Sequence, residues 1–465
     1  MELSLFSVLG MAATLLLIVG VGVYAGKKVK SGQDFNTGSD MGVSMVAGAL
    51  IGTLVGGAST IGTAQLAFQY GFSAWWFSLG GGIGLLMMAV FFAKPLKNSG
   101  LVTLPQILTR EYGKKVATTA AILMSVGTFM SIVSQLLSGV ALVTSVCAVP
   151  TAVAMAIVVA LMVVYVVFGG AWGTGMVGVV KTVLLYVTTL VCGIASLKLA
   201  GGLDTFTEAL PAERYFNLFA RGGWKDGGAG ASLVFGVLTT QAYILPIVSA
   251  RSVKVSKAGA ALGGGLTALI GLAGIFVGLY MRVYMPDTEA SVVLPKFVLT
   301  CLPDFVGGVI LATLLIALVG TGAGLALGIS SMLCNDIYKV LIRPKATGKE
   351  CLRFSRIVIV LILVSAALFG VGEVGSTILS WSFLSMGLRG AVAFAPLCFA
   401  LFSPGRMGKK VAGAAMIAGP LLVILGSFLL PDHIDPLFLG MGGALLICFA
   451  GWLWGQKRTH SHSSR

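Results

Sequence analysis

The chain has 465 residues, of which 57% are hydrophobic and 10% charged, with a mean hydropathy of +0.99 and a formal net charge of +15. A soluble domain carries about 25% charged and about 45–50% apolar residues, so these values exclude a soluble globular protein. They predict an all-α polytopic membrane protein. Its basic residues are then expected in cytoplasmic loops under the positive-inside rule, and not on a surface that binds nucleic acid.

Runs of about 18 or more apolar residues predict transmembrane helices. The sequence contains thirteen such runs. In chain order the predicted spans cover residues 4–25, 44–69, 74–93, 116–146, 151–168, 175–200, 231–250, 258–281, 305–333, 354–371, 375–402, 411–430 and 436–455.

The basic residues predict the orientation of these spans. Lys27, Lys28 and Lys30 follow the first span and no base precedes it, which is the reverse of a signal peptide, so this helix is expected to be retained with its N-terminus outside. In that orientation 23 of the 31 Lys and Arg residues fall in cytoplasmic segments, six in external segments and two inside spans. The bias predicts a multi-pass plasma-membrane protein with a cytoplasmic C-terminus.

The residues that a membrane-embedded enzyme would need are scarce. His433, His460 and His462 lie in a loop or the tail, and none of the 16 acidic residues lies deep in a span. The seven cysteines form no CxxC pair and are predicted to be small buried hydrophobic residues. We therefore expect no catalytic site, no histidine-built metal site and no organic cofactor. The expected partners are a small-molecule substrate and the lipid bilayer, without an obligate protein partner.

Two predicted spans carry interruptions at mid-depth. Span 2 has glycines among hydroxyl residues, at Gly52, Gly56, Gly57 and Gly62, and span 7 has Thr239-Thr240-Gln241 followed by Pro246. Alternating-access transporters often consist of two five-helix repeats of opposite topology, each beginning with an interrupted helix at the binding site. Spans 2–6 and 7–11 have the required number and orientation. Glycine-mediated helix packing is the alternative for span 2 alone, but the pairing with span 7 favours a binding site.

Several stretches, in order along most of the chain, resemble the sodium:solute symporter family, whose members have the LeuT-type fold. They are Ile51 to Trp76, Thr103 to Gly113, Phe168-Gly169-Gly170, Ala250 to Lys254 and Asn335 to Lys339. The resemblance implies a secondary transporter with a 5+5 inverted repeat, one extra N-terminal helix and two extra C-terminal helices. We expect one transmembrane domain over 1–465, divided into the extra helix and its loop (1–43), repeat 1 (44–200), repeat 2 (231–402), two C-terminal helices (403–455) and a cytoplasmic tail (456–465).

The resemblance also implies a sodium site between spans 2 and 9. Its ligands would come from Gly52, Val55, Ala317, Gly320 and Thr321. Gly320 stands where the family usually has a hydroxyl residue, and a hard cation requires several oxygen ligands. The aspartate that the family tends to place on span 6 falls on Gly178 here. The site is therefore expected to be degenerate, with Na+ possible as a coupling ion.

Lys181 lies inside span 6, where the family has a glutamine. One interpretation is that its ammonium reaches the cytoplasmic interface. The other is that the ammonium replaces the sodium ion between carbonyls of span 2 and Thr321. Because a buried lysine titrates more easily than a solvated one, Lys181 is then also a candidate carrier of a coupled proton.

Arg389 lies near the middle of span 11 and needs a partner, because arginine keeps its charge. Helix-end carbonyls with water are one possible partner and an anionic substrate is the other. Further polar or aromatic residues are predicted to line the substrate cavity: Ser59, Thr60, Thr63, Phe77, Ser78, Ser131, Gln135, Thr239, Thr240 and Gln241. Among these, Ser59, Phe77 and Ser78 match positions that face substrate in the family, although a single Ser or Thr often bonds only to its own helix.

The leading interpretation is a symporter for a small polar organic solute, coupled to sodium or, given Lys181 and the degenerate sodium site, to protons or to no ion. The alternative is a solute sensor or channel-like protein that keeps the same fold. Substrate-dependent counterflow distinguishes a transporter from a sensor.

Overall fold

The computed structural model describes residues 4–28, 41–101 and 103–462, and this part of the chain is helical without a β-strand. The helices are α1 (Leu5–Lys28), α2 (Val43–Leu54), α3 (Thr63–Tyr70), α4 (Trp76–Met87), α5 (Ala93–Asn98), α6 (Leu104–Tyr112), α7 (Lys114–Cys147), α8 (Thr151–Ala200), α9 (Asp204–Ala209), α10 (Ala212–Tyr215), α11 (Gly223–Thr239), α12 (Gln241–Ser249), α13 (Val253–Tyr284), α14 (Val293–Cys301), α15 (Asp304–Met332), α16 (Gly348–Val371), α17 (Ile378–Phe402), α18 (Lys409–Leu429) and α19 (Leu437–His462). π-Helical turns at Ala58–Gly62, Met88–Phe92 and Leu333–Ile342, and 3-10 turns at Gly71–Trp75 and Ala290–Val292, connect or extend them.

Eight helical stretches of the described chain are long and apolar enough to cross a membrane, and the bent pair α11 and α12 makes a ninth. Such apolar runs form helices because, in lipid, each backbone N–H must find its hydrogen-bond partner within its own segment. Shorter apolar helices of 10–17 residues accompany them, among them Val43–Leu54 and Leu437–Leu453. The predicted all-helical membrane architecture is confirmed, whereas the number thirteen is not established.

The largest difference from the predicted spans lies in α8. Two spans, 151–168 and 175–200, were expected, and the structure assigns one helical stretch, Thr151–Ala200. The expected turn at Phe168-Gly169-Gly170 falls in 167–179, whose side chains lie outside the described part. Tyr165 and Lys181 nevertheless both approach Gly320 of α15, with the Tyr165 hydroxyl 3.6 Å and Lys181 Cδ 3.8 Å from the Cβ position there.

The first interruption lies between α2 and α3. Helix α2 ends at Leu54 because Val55 is extended, with φ −90° and ψ 107°. The N–H groups that this break leaves without helical partners are bonded by side chains: Ser59 Oγ accepts from Gly56 N at 2.8 Å, and Gln135 Oε1 accepts from Gly57 N at 2.9 Å. The break is thus stabilised by α7 as well as by its own helix.

The second interruption separates α11 from α12, whose axes differ by 49°. Thr240 is extended at this point, with φ −83° and ψ 126°. The hydroxyls of Thr239 and Thr240 donate back to the carbonyls of Phe235 and Gly236, at 2.8 and 2.6 Å. The break therefore places the start of α12 as a second helix end among buried residues, which is the arrangement expected of an interrupted transporter helix.

Helix α12 is held at both of its ends by the segment around α5 and α6. Lys97 Nζ donates to the Val248 carbonyl at 2.7 Å, and Gln241 Oε1 accepts from Leu104 N at 2.7 Å. We call these four residues the inner latch, because they lie on the predicted cytoplasmic side. Gln241 therefore links α6 to α12.

A charged cluster lies at the predicted outer end of α11. Asp226 is fully buried and accepts hydrogen bonds from Ser73 Oγ at 2.8 Å and from Arg221 Nε at 2.7 Å on the same oxygen. The Arg221 guanidinium lies 5.6 Å from the centroid of the Phe383 ring. We call Ser73, Arg221 and Asp226 the outer cluster. It joins the turn before α4 to the start of α11 through a buried ion pair.

A cavity of about 220 Å³ lies beside the outer cluster, between α11, α17 and α18. Lys225 and Asp435 contribute charged groups to its lining, together with Ser232, Ser380 and Ser427. Burial raises the pKa of the Asp435 carboxyl, although the backbone N–H of Leu437 donates to it.

Candidate functional site

Lys181 is buried between α8 and α15, with 6% of its surface exposed. Its Nζ donates to Thr321 Oγ1 at 2.9 Å and to the Ala317 carbonyl at 3.4 Å. Its ammonium therefore bonds to two of the groups that the family resemblance implied as sodium ligands. The geometry differs from that of a side chain that reaches the membrane surface.

The first interruption lies directly against this lysine site. A Cβ at Gly56 would stand 2.9 Å from Thr321 Oγ1 and 3.2 Å from Gln135 Oε1, so only glycine lets the backbone approach this closely. The hydrogen bonds of Lys181 do not involve Gly52 or Val55. Gly320 lies beside Tyr165 and Lys181. An ammonium bonded to Thr321 and Ala317 uses the oxygens that a sodium ion would need, so the residues present do not fit a sodium ion at this place.

Arg389 is the second buried cation, with 1% of its surface exposed. Its Nε donates to the Ser385 carbonyl at 3.2 Å, and its Nη2 lies 3.2 Å from Ser131 Oγ and 3.0 Å from Ser385 Oγ. Met386 Sδ lies 3.2 Å from the same Nη2. The arginine thus lies between α7 and α17.

Polar side chains on one face of α7 connect the two cation sites. Ser131 bonds to Arg389, and Gln135, one turn further on, bonds to Gly57 of the first interruption. Residues four apart on a helix have Cβ atoms ~5–6 Å apart. Ser134, on the same face, bonds to Ser382 Oγ at 2.8 Å. The structure therefore joins the first interruption, α7 and Arg389 in one polar region.

The other predicted cavity residues are distributed over several different surroundings. Near the first interruption, Ser59 and Thr60 donate to the Gly56 carbonyl, while Thr63 is buried and its Oγ1 has no hydrogen-bond partner among the described residues. Phe77 packs edge-on against Phe383, with ring centroids 5.8 Å apart. Thr239 and Thr240 bond within α11, Gln241 belongs to the inner latch, and Ser78 faces the backbone of Gly271 on α13.

Three site residues were not singled out from the sequence: Ser382, Ser385 and Tyr165. The signal for the two serines is their spacing. Ser382 and Ser385 lie one or two turns before Arg389 on one face of an apolar helix, opposite the serines of α7. Ser385 also donates to the Gly127 carbonyl at 2.5 Å. Tyr165 offers no comparable pattern, because its neighbour Gly320 is far away in sequence.

Gly127 provides a test of how tightly α7 and α17 pack at Arg389. A Cβ at this position would lie 2.8 Å from Arg389 Cγ and 3.2 Å from the Ser385 carbonyl. We expect Gly127→Ala to destabilise the protein by ~1–3 kcal/mol, because the backbone or Arg389 must shift. Thermal unfolding in detergent measures the effect, with Gly265→Ala as control, since no atom lies within 4 Å of that Cβ position. Equal stability of the two variants would contradict the close packing.

Known proteins match this chain over most of its length. A model of the sodium:solute symporter family matches residues 35–419. High-affinity choline transporter 1 of Caenorhabditis elegans is 24% identical over 467 residues, covering 89% of this chain and 78% of the relative. The sodium/pantothenate symporter of Escherichia coli (strain K12) is 25% identical over 443 residues, covering 90% of each chain.

A solved structure shares the fold. The substrate-bound, outward-open state of a Na+-coupled sialic acid symporter matches with a TM-score of 0.78 and 17% identity, covering 97% of this chain and 98% of that one. The resemblance drawn from the sequence motifs is thereby confirmed, and with it the LeuT-type fold. The relatives are transporters, so the prediction that the chain is not an enzyme also holds. The family match extends across most of the sequence, and the chain belongs to the sodium:solute symporter family.

Proposed function

We propose that this protein is a secondary transporter that moves a small polar organic solute across the plasma membrane by alternating access. The observation that carries the proposal is the pair of buried interruptions, α2 to α3 and α11 to α12, bordered by hydroxyl and amide groups. The proposed repeats, 44–200 and 231–402, each contain one interruption near their start. The N-terminus is proposed to lie outside and the C-terminus in the cytoplasm.

Counterflow in proteoliposomes tests the transport function. Vesicles are loaded in turn with choline, pantothenate, sialic acid, lactate or acetate, and uptake of the same labelled solute is followed. We expect at least one solute to exchange only when it is present on both sides. Binding without exchange would favour the solute sensor, and flux that does not saturate would favour a channel.

We further propose that the Lys181 ammonium takes the place of the family's coupling sodium ion. Its hydrogen bonds to Thr321 and Ala317 support this role. A sodium ion added ~4 Å away would be repelled by ~4 kcal/mol at an effective dielectric constant of ~20. Transport is therefore expected to proceed without a sodium gradient.

Sodium itself is the probe for this part of the proposal. Because a ligand that binds only the folded state raises its stability, thermal unfolding is compared in sodium chloride and potassium chloride at equal ionic strength. We expect identical midpoints for the wild-type protein. Counterflow-active vesicles are then compared under a sodium gradient, a proton gradient and no gradient. A sodium-specific rise in midpoint, or uptake driven by the sodium gradient alone, would contradict the replacement.

A further inference from the structure

The guanidinium of Arg389 is bonded on one side only. Its hydrogen bonds to the described residues run through Nε and Nη2, and Nη2 has three acceptors within 3.2 Å, namely Ser131 Oγ, Ser385 Oγ and Met386 Sδ. Nη1 donates to none of the described residues, although an arginine has five N–H donors to satisfy. One edge of a buried charged group is therefore available for a further acceptor.

Among the residues that the structure describes, no acidic side chain forms an ion pair with Arg389. The two ion pairs of the described chain join Arg221 to Asp226 and Arg343 to Glu350, and neither involves Arg389. Across the polar face of α7 lies a second cation, Lys181, beside Thr321. A buried charge without a counter-ion costs several kcal/mol, even after relaxation. The centre of the molecule thus holds two positive charges, and an anion that enters it reduces that cost.

We infer that the substrate of this transporter carries a negatively charged group, a carboxylate, and that Arg389 binds it together with the hydroxyls of Ser131 and Ser385. This inference rests on the transport function proposed above and adds the chemical class of the solute. A guanidinium edge matches a carboxylate in shape and charge. The Ser131 hydroxyl can rotate away from Ser385 Oγ to donate to the same carboxylate, and the Ser385 hydroxyl can do so when it leaves the Gly127 carbonyl. The two cations also repel a quaternary ammonium such as choline, the solute named for one of the relatives.

The wild-type protein provides the first test, which needs no variant. Counterflow and thermal stabilisation are measured with acetate, lactate and pantothenate, with their uncharged counterparts acetamide, lactamide and pantothenol, and with choline. We expect at least one carboxylate to bind tenfold or more tightly than its uncharged counterpart, and choline not to exchange. Preferential binding of choline or of the uncharged compounds, or binding of none of the carboxylates, would overturn the inference.

Arg389→Gln provides the second test. We expect it to weaken binding of the preferred carboxylate at least tenfold and to leave the affinity for the uncharged counterpart unchanged, while Arg389→Lys retains part of the preference because it retains the charge. Arg406→Gln, an exposed arginine just after α17, is the matched control. The double variant Ser131→Ala, Ser385→Ala removes the hydroxyls and keeps the arginine, so it tests the same site if Arg389→Gln does not fold. It is expected to weaken carboxylate binding as well.

The outcomes separate the two proposals. Counterflow of choline or of a neutral solute, undiminished in Arg389→Gln, would leave the transport function intact and overturn the carboxylate assignment. Unchanged carboxylate affinity in Arg389→Gln and in the double serine variant would do the same. Carboxylate binding that depends on Arg389 but is never followed by counterflow would instead contradict the transport function and support the anion site.

Discussion

Replacing Lys181 by alanine should make the stability of the protein depend on sodium. The substitution removes the ammonium that bonds to Thr321 Oγ1 and the Ala317 carbonyl and leaves both oxygens beside the first interruption. A sodium ion can then enter, since neither the volume nor the charge of Lys181 opposes it. At a sodium concentration of ~100 times Kd, binding stabilises a protein by ~2.7 kcal/mol. Thermal unfolding of Lys181→Ala in sodium chloride and in potassium chloride measures this difference directly.

The same substitution should lower solute uptake in sodium-free buffer. A hydrogen bond from a charged donor contributes ~1.5–3 kcal/mol, which corresponds to roughly tenfold to a hundredfold in an equilibrium constant. Lys198→Ala, which removes an exposed lysine from the same helix α8, is the control and should retain wild-type uptake. Full uptake by Lys181→Ala without sodium, and no sodium effect on its unfolding, would show that Lys181 does not hold the place of an ion.

The second large effect is expected at the outer cluster, where Asp226→Asn should strongly destabilise the fold. The Asp226 side chain is fully buried and the Arg221 side chain is 9% exposed, with 2.6 Å between Arg221 Nη2 and Asp226 Oδ1. Neutralising one partner leaves the other charge buried without compensation, which typically costs ~3–5 kcal/mol. We expect a loss of that size in the free energy of unfolding, measured by chemical denaturation in detergent.

Two further variants give this prediction its controls. Glu208→Gln neutralises an exposed acid in the same outer segment and should change the stability by less than ~0.5 kcal/mol. Ser73→Ala removes the hydroxyl that donates to Asp226 and accepts from Arg221 Nε, and it should cost at least the ~1.5–3 kcal/mol of one hydrogen bond to a charged group. If Asp226→Asn were no more destabilising than Glu208→Gln, the ion pair would have no structural role.

The parts of the fold that could be predicted are those encoded in short stretches of sequence. Hydrophobic runs predict the helices, and the glycines at 56 and 57 and the Thr239-Thr240 pair predict where two helices are interrupted, because the conformational signal lies in the interrupted residues themselves. Two transmembrane spans were predicted within 151–200, and the structure assigns one helical stretch, α8, to these residues. A glycine pair does not by itself fix whether a helix continues, since the packing of its two ends against α15 also contributes.

The hydrogen-bond partners of the site residues could not be predicted from the sequence, because many of them are distant in the chain. Gln135 and Gln241 were predicted to line a cavity, and this stays a prediction. The structure adds that Gln135 bonds to Gly57, 78 residues away, and that Gln241 bonds to Leu104, 137 residues away. Both side chains have a depth and polarity typical of ligand contacts, and only the relative placement of helices distinguishes a ligand contact from a link between helices. The proximity of Lys181 to Thr321 was predictable because family motifs fix both positions, whereas the serines around Arg389 became identifiable only when α7 and α17 were seen side by side.

The inner latch stabilises the conformation described here, in which α12 is bonded at both of its ends. Under the alternating access proposed above, we expect a path to the predicted cytoplasmic side to open when α12 separates from Lys97 and from the Leu104 backbone. Hydrogen bonds from a charged and from a neutral donor contribute ~1.5–3 and ~0.5–1.5 kcal/mol, so the closed form is favoured by a factor of roughly 30 to 2000 over an open form that lacks only these bonds. We therefore expect the inward-open form to be a minor species in the absence of the solute, with a population that rises only with a ligand that binds the open form more tightly by a comparable factor.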